Sequence, residues 1–239
     1  MAHTTLSTTS RTALEGLASD LREIFGNRLL SVCAYGQAAR GDDVQSLALV
    51  DRLTFDDLAA CLPFSRKWDR AGLAVPLILE RDEFVRTLDV FPLEYGEIIA
   101  DHAPVYGEDP FDGLEVAAED LRRGCEFHAK SHLIHLREAF LETGGDPKDV
   151  SRLISGSAPG YRRLLANVVA LVDPANARAD AHDLAAVAER ILGVPAATTM
   201  DVLAAQSGAL STIADPTALL ARYIEAVERL WEYVDAWRP

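Results

Sequence analysis

A short glycine-bounded loop between two apolar stretches carries the residues of this sequence that could do chemistry. It reads YGQAARGDD at residues 35–43, and the apolar stretch SLALV and then Asp51 follow it. The backbone N–H groups of a glycine-rich turn can approach a phosphate closely, and an arginine beside it adds positive charge. The loop therefore predicts a phosphate-binding turn that contains Gly36, Gln37, Arg40 and Gly41.

Three aspartates lie in or just after this loop, and carboxylate oxygens are the ligands that Mg²⁺ prefers. They are Asp42, Asp43 and Asp51. Asp42 and Asp43 are adjacent, so their side chains would point to opposite sides of an extended chain. Asp51 stands alone after SLALV, which carries no carboxylate. The loop thus has phosphate-binding residues without an obvious pair of metal ligands beside them.

Apolar periodicity in the first half predicts helices alternating with strands. A first helix is expected to be capped by Ser10 and to end at Gly26, and Thr54 is expected to cap the second. Two antiparallel strands are predicted at 28–36 and 44–50, a third at 75–79, and an edge strand at 103–107. A short helix is predicted at 80–88, and DVFPLE at 89–94 is expected to be extended because of its proline.

From Leu114 onward only helical periodicity is found. Helices are predicted at about 114–142, 147–172, 180–192, 197–206 and 215–237, the last with Asp215 as its cap and Pro216 in its first turn. The sequence therefore predicts an α+β protein. An N-terminal α/β domain with a small mixed sheet covers 1–112, and a C-terminal α-helical bundle covers 113–239.

The order helix, strand, YGQAARGDD, strand, helix resembles the nucleotidyltransferase superfamily, the polymerase-β-like fold that includes kanamycin and minimal nucleotidyltransferases. Ala39, Arg40 and Gly41 match the ARG that often follows the glycine and serine of this family, and Gln37 occupies the serine position. The resemblance covers 10–110, and after 114 it extends only to helix content and order. It implies Mg²⁺-dependent transfer of a nucleoside monophosphate from a nucleoside triphosphate to a hydroxyl group.

The same resemblance locates the expected metal ligands, and there the sequence departs from the family. The family carries two aspartates, two residues apart on the strand after the loop, which face one side and share Mg²⁺. With Ser46 as the serine before this pair, the aspartates fall at Leu47 and Leu49. Asp89 or Glu94 would be the third carboxylate. We therefore interpret the chain as a catalytically degenerate member of the family that retains nucleotide binding.

Two alternatives stay open from the sequence. The first is an active transferase of this family whose Mg²⁺ is held by other acids, with Asp42, Asp43, Asp51 and Asp89 as the candidate catalytic residues. The second is a non-enzymatic protein, regulatory, antitoxin-like or a scaffold, with a protein partner or a second copy bound through the helical domain.

The long helix at 114–142 carries two further patterns. Cys125, His128, His132 and His135 recur at helical spacing, and imidazole and thiolate are zinc ligands, so His128 and His132 are a candidate metal pair. Arg123 and His128 also fit the loose R-x4-H pattern of HEPN ribonucleases.

Charge and composition limit the partners. The 239 residues carry 23 basic and 37 acidic side chains, a net charge of −14, which disfavours nucleic acid and anionic membranes. Three cysteines without a CxxC spacing indicate a reducing compartment rather than disulfides. Neither a signal peptide nor an apolar run long enough for a bilayer is apparent, so we expect a cytoplasmic protein.

Overall fold

The computed structural model describes residues 6–36, 43–173, 180–205 and 214–238. The chain forms two compact units, Met1–Val116 and Ala117–Pro239. The predicted α+β fold is confirmed, because the first unit contains a four-stranded sheet and the second is built from helices. The sequence had placed the boundary between these halves after residue 112.

The first unit is a mixed sheet with helices on both of its faces. The sheet has the strand order β3-β2-β1-β4, in which β1 is antiparallel to β2 and β4, and β2 is parallel to β3. As predicted, the first two strands are antiparallel and the last strand is an edge strand. The elements are α1 (Thr8–Phe25), β1 (Leu29–Tyr35), β2 (Gln45–Val50), α2 (Phe55–Arg70), β3 (Leu77–Glu80), α3 (Arg81–Arg86), α4 (Pro92–Ala100) and β4 (His102–Tyr106).

One face of this sheet is covered by α1 and α2. Successive side chains of a strand point to opposite faces, so Ala48 and Val50 of β2 share this side. They belong to one buried cluster with Leu17 and Leu21 of α1 and Trp68 of α2. Leu14, Leu17 and Leu21, which recur at helical spacing, therefore form the buried face of α1.

A buried carboxylate joins α1 to α2. Asp20 is only 7% exposed and accepts hydrogen bonds from Lys67 Nζ at 2.6 and 2.7 Å and from Trp68 Nε1 at 3.0 Å. Burying a charge is costly unless it is paired and hydrogen-bonded, and here the ammonium and the indole satisfy it.

A second ion pair fixes the start of α2 against the start of β1. Arg28 donates from both terminal nitrogens to Asp57, at 2.8 and 2.6 Å. Asp57 also accepts the backbone N–H of Thr54 and completes a capping box with it. The Arg28 guanidinium, followed by the Thr54 donors, holds the pKa of the Asp57 carboxyl well below its usual range.

The second unit consists of α5 (Ala118–Glu142), α6 (Pro147–Val172), α7 (Ala181–Leu192), α8 (Ala196–Ala205) and α9 (Pro216–Ala236). A short connection joins α5 and α6 into a helical hairpin, and α9 packs on both helices. Tyr161 of α6 and Tyr223 of α9 are fully buried and contact each other edge to face, with ring centroids 4.9 Å apart. These two tyrosines bring polar hydroxyls into the interior of the unit.

Three sequence expectations differ from the structure. The first helix is capped by Ser7, whose hydroxyl accepts the Ser10 N–H at 3.0 Å. Ser10, the predicted cap, is therefore the residue that donates this hydrogen bond. The prediction of an extended DVFPLE is wrong, since Pro92 begins α4, where a missing N–H costs nothing. The long helix begins at Ala118 rather than Leu114.

The glycine after β4 offers a test of this packing. Gly107 has φ +77°, and a Cβ added there would lie 2.2 Å from the Leu30 carbonyl oxygen. Gly113 has nearly the same φ, +75°, with nothing within 4 Å of its Cβ position. We expect Gly113→Ala to cost about 1–2 kcal/mol from left-handed backbone strain alone. Gly107→Ala should cost clearly more, because the backbone at Leu30 would also have to move away from the added Cβ. Urea unfolding followed by circular dichroism measures both, and equal costs would contradict the close approach.

Candidate functional site

The two leucines at the expected metal-ligand positions lie side by side on the sheet face opposite α1 and α2. Leu47 and Leu49 of β2 are 0% and 1% exposed. Cys33 of the neighbouring β1 is paired with Leu47 and points to the same side. The resemblance thus places the missing carboxylates on a single face, as i and i+2 positions of a strand require.

Aromatic side chains cover this face. Phe84 of α3 stacks on Tyr95 of α4 with ring centroids 4.4 Å apart, and it also contacts Phe111 at 5.4 Å. All three belong to one buried cluster with the two leucines. Mg²⁺ requires oxygen ligands and keeps several waters. A face filled by leucine and aromatic rings supplies neither ligands nor space for such an ion.

A hydrogen-bonded histidine fixes the segment that brings Phe111 onto this face. His102 is 2% exposed, and its Nε2 lies 3.1 and 3.2 Å from the Asp109 oxygens. Asp109 in turn accepts the Phe111 N–H at 3.0 Å. The sequence contains no sign of this contact, because residues 107–113, GEDPFDG, have no helical or strand periodicity.

The same geometry excludes His102 as a general base in this conformation. Its Nδ1 lies 3.1 Å from the Ile99 carbonyl oxygen, which can only accept, so Nδ1 carries a proton. Its Nε2 faces a carboxylate, as described above. Both ring nitrogens are engaged by acceptors, so neither can take a proton from a substrate without breaking a bond.

Two of the candidate carboxylates, Asp43 and Asp51, lie at opposite ends of β2. Asp43, Asp51 and Asp89 are all exposed, and Asp42 lies outside the described residues. Asp43 precedes β2 and Asp51 follows it, which separates them by roughly 25 Å along an extended chain. Two carboxylates that far apart cannot share an ion. In the part of the chain that the structure describes, no group of three or more His, Cys, Asp or Glu side chains could hold a metal ion.

The predicted nucleotide-binding turn is described only at its first residue. Gly36 has φ +73°, a left-handed conformation that favours glycine, and a Cβ there would lie 3.5 Å from Gln45 Oε1. Gln37, Arg40 and Gly41 fall outside the described ranges, so their role as nucleotide ligands stays a prediction.

The two candidate metal-binding histidines of α5 have different surroundings. His128 is exposed, whereas His132 is partly buried with its Nε2 2.6 Å from the Tyr223 hydroxyl. That hydroxyl also donates to the Ser157 carbonyl at 3.4 Å. The His132 ring packs against Gly160, where a Cβ would lie 3.3 Å from Cε1. A metal ion on His132 Nε2 would therefore have to displace a buried tyrosine.

Burial lowers the pKa of His132 to about 4, and the nearby His135 adds to the shift. The imidazole is consequently neutral in the folded protein at pH 7, in keeping with its contact to an uncharged hydroxyl. Arg123, the other residue of the R-x4-H pattern, forms an ion pair with Asp120 on the exposed surface of α5.

Comparisons with known proteins leave the identity of the chain open. No protein-family model matches this sequence, and no curated protein matches it significantly. Within the described ranges, none of the helices has both the length and the apolar character needed to cross a membrane. The likeness to nucleotidyltransferases therefore rests on the residues quoted above.

The burial of Leu49 leads to a first test at the site. Leu49→Asp should lower the free energy of unfolding by more than about 3 kcal/mol, since it buries an unpaired charge among aromatic rings. The matched variant Leu49→Met keeps the volume and should cost less than about 1.5 kcal/mol. Chemical denaturation of both variants makes the comparison. An aspartate tolerated as well as methionine would mean that this face is an open cleft.

The lowered pKa of His132 predicts that the stability of the protein depends on pH. This pKa lies below the ordinary value of 6.5, so between pH 6.5 and about 4 the unfolded chain binds a proton that the folded chain does not. Stability should therefore fall as pH drops through this window, by up to about 3 kcal/mol from this group.

Matched variants distinguish the contribution of His132 to the pH dependence of stability from the contribution of the acidic residues. His132→Gln cannot titrate, so urea midpoints measured from pH 7 to 4 should decline less steeply than in the wild type. His128→Gln, at an exposed position on the same helix, should follow the wild type. Parallel pH profiles for all three proteins would refute the buried neutral state.

Proposed function

We propose that this protein is a nucleotidyltransferase-like protein that has lost metal-dependent nucleotidyl transfer and binds a nucleotide through the turn at 36–41. The observation that supports the loss is the burial of Leu47 and Leu49 under Phe84, Tyr95 and Phe111. Transfer of a nucleotidyl group relies on metal ions that neutralise the phosphates and activate the attacking oxygen. Apolar side chains at these positions remove the ligands on which that chemistry depends.

Nucleotide binding without a metal would depend on the turn itself. The glycines let backbone N–H groups face a phosphate, and Arg40 is the one positive charge in the sequence of the turn. The net charge of −14 opposes a polyphosphate, so the affinity should depend strongly on Arg40 and on salt. The Mg²⁺ of the active alternative is not needed for this mode of binding.

Thermal denaturation with ATP, GTP, CTP and UTP, each with Mg²⁺ or with EDTA, tests the proposal. At least one nucleotide should raise the melting temperature, by the same amount in EDTA as in Mg²⁺. Arg40→Ala should abolish the shift, and Arg11→Ala, at an exposed arginine of α1, should preserve it. A shift that requires Mg²⁺, with transfer of labelled nucleoside monophosphate to a hydroxyl acceptor, would instead establish an active transferase.

A non-enzymatic regulatory or scaffold role is the second candidate. It is favoured by large apolar side chains exposed on helices of both units, among them Phe55 and Leu62 of α2, at 81% and 70%. Exposed apolar side chains in a contiguous patch are typical of surfaces that bind other proteins. The absence of any response to the four nucleotides, with or without Mg²⁺, would favour this role over nucleotide binding.

A further inference from the structure

A cavity of about 200 Å³ lies within the second unit, between the end of α7, the start of α8 and α9. Val194, Pro195 and Ala226 form its apolar wall, and Thr198 and Arg222 line it with polar groups. Sites for drug-sized ligands have volumes of roughly 300–1,000 Å³ and combine an apolar lining with a few polar groups. This cavity has the same kind of lining in a smaller volume, so it suits a smaller molecule.

The hydroxyl of Thr198 faces this cavity without a hydrogen-bond partner. Thr198 is only 4% exposed, and no described residue forms a hydrogen bond with its Oγ1. Among the described residues, the hydroxyls that are both sealed from solvent and unpartnered are those of Ser31 and Ser46. The Thr198 oxygen therefore reaches solvent, and it does so where its side chain lines the cavity. Because buried polar groups are normally hydrogen-bonded, this hydroxyl is available to a ligand.

Arg222 brings a positive charge to the same cavity. The Asp201 carboxylate lies 3.8 Å from its terminal nitrogen, which is too far for a hydrogen bond, and within the described ranges its guanidinium makes no hydrogen bond. Arg229, which also lines the cavity, is instead held by the Gly193 carbonyl at 2.8 Å and by Glu225 at 2.6 Å. Arg222 therefore keeps its N–H donors for a ligand.

Three carboxylates limit the charge that a ligand can carry. Glu225 lines the cavity and is paired with Arg229. Asp201 lies 3.8 Å from Arg222, and Glu189 accepts the first N–H of α8 at 3.2 Å, so that end of the helix already has an anionic partner. A dianion would meet more negative than positive charge here, whereas the guanidinium of Arg222 can offset a single negative charge.

We propose that this cavity binds a small monocarboxylate with a short apolar body. The planar fork of N–H donors on Arg222 matches the two oxygens of a carboxylate, and the Thr198 hydroxyl donates to one of them. The apolar body packs against Val194, Pro195 and Ala226. This inference goes beyond the proposed function, because the cavity belongs to the second unit and the turn at 36–41 to the first.

Titration of the full-length chain with sodium butyrate at constant ionic strength, followed by ¹⁵N–¹H NMR spectra, tests the site. A ligand of this size should bind with a dissociation constant on the order of 1 mM. Uncharged 1-butanol and dianionic sulfate should each bind at least about tenfold more weakly, since the first lacks the charge and the second carries too much. Binding of 1-butanol or sulfate as tight as that of butyrate would overturn the proposal.

Two neighbouring threonines supply matched variants. Thr198→Val removes a hydroxyl that no described group binds, so it should weaken butyrate binding at least about threefold and leave the melting temperature unchanged or higher. Thr199→Val removes the hydroxyl that lies 3.3 Å from the Tyr161 hydroxyl, so it should lower the melting temperature and leave the butyrate affinity unchanged. Equal butyrate affinities of the two variants would contradict the role of Thr198.

Arginine variants test the contribution of the charge. Arg222→Gln should raise the dissociation constant for butyrate at least about tenfold, because the charged partner of the carboxylate is lost. Arg137→Gln, at an arginine that is paired with Glu228 and does not line the cavity, should bind butyrate as the wild type does. A wild type without saturable binding up to about 100 mM butyrate, or an unchanged affinity in Arg222→Gln, would refute the site.

Discussion

The packing of one face of β2 under aromatic side chains is the constraint on which the first unit depends. Leu47 and Leu49 of β2 pack with Phe84, Tyr95 and Phe111 in one buried cluster. An ionised carboxylate on this face would be buried without a charged partner, which is costly. The cluster forms a second core, so the sheet is covered by helices on both faces.

Polar side chains inside the two units act as positioning groups. His102 joins Ile99 to Asp109 and so holds the segment that carries Phe111. In the second unit His132 contacts a buried tyrosine hydroxyl, and burial keeps its imidazole neutral. Histidines at regular spacing on a helix suggest metal ligands, yet a hydrogen bond to a neighbouring helix satisfies the same atoms. A buried polar group must find a partner, and another side chain serves as well as an ion.

The sequence predicted most of the fold, because local signals specify helices and strands. Thr54, Asp215 and Pro216 begin helices as predicted, and the helices of the second half follow their apolar periodicity closely. The prediction of the fold was wrong where one residue type is compatible with two local structures. Proline at residue 92 was taken to keep the chain extended, but proline is equally suited to the first turn of a helix.

By itself the sequence determined the α+β fold, the antiparallel order of the first two strands, and the apolar character of the strand that carries Leu47 and Leu49, since these follow from spacing and residue type. Only the tertiary structure decided what those leucines contact, which nitrogen of each histidine is engaged, and which apolar stripe of a helix stays exposed. Those properties depend on residues far apart in the chain, such as Phe111 beside Phe84 and Tyr223 beside His132. Periodicity predicts on which face of its own helix or strand a side chain lies. It does not predict which residues of other elements pack against that face.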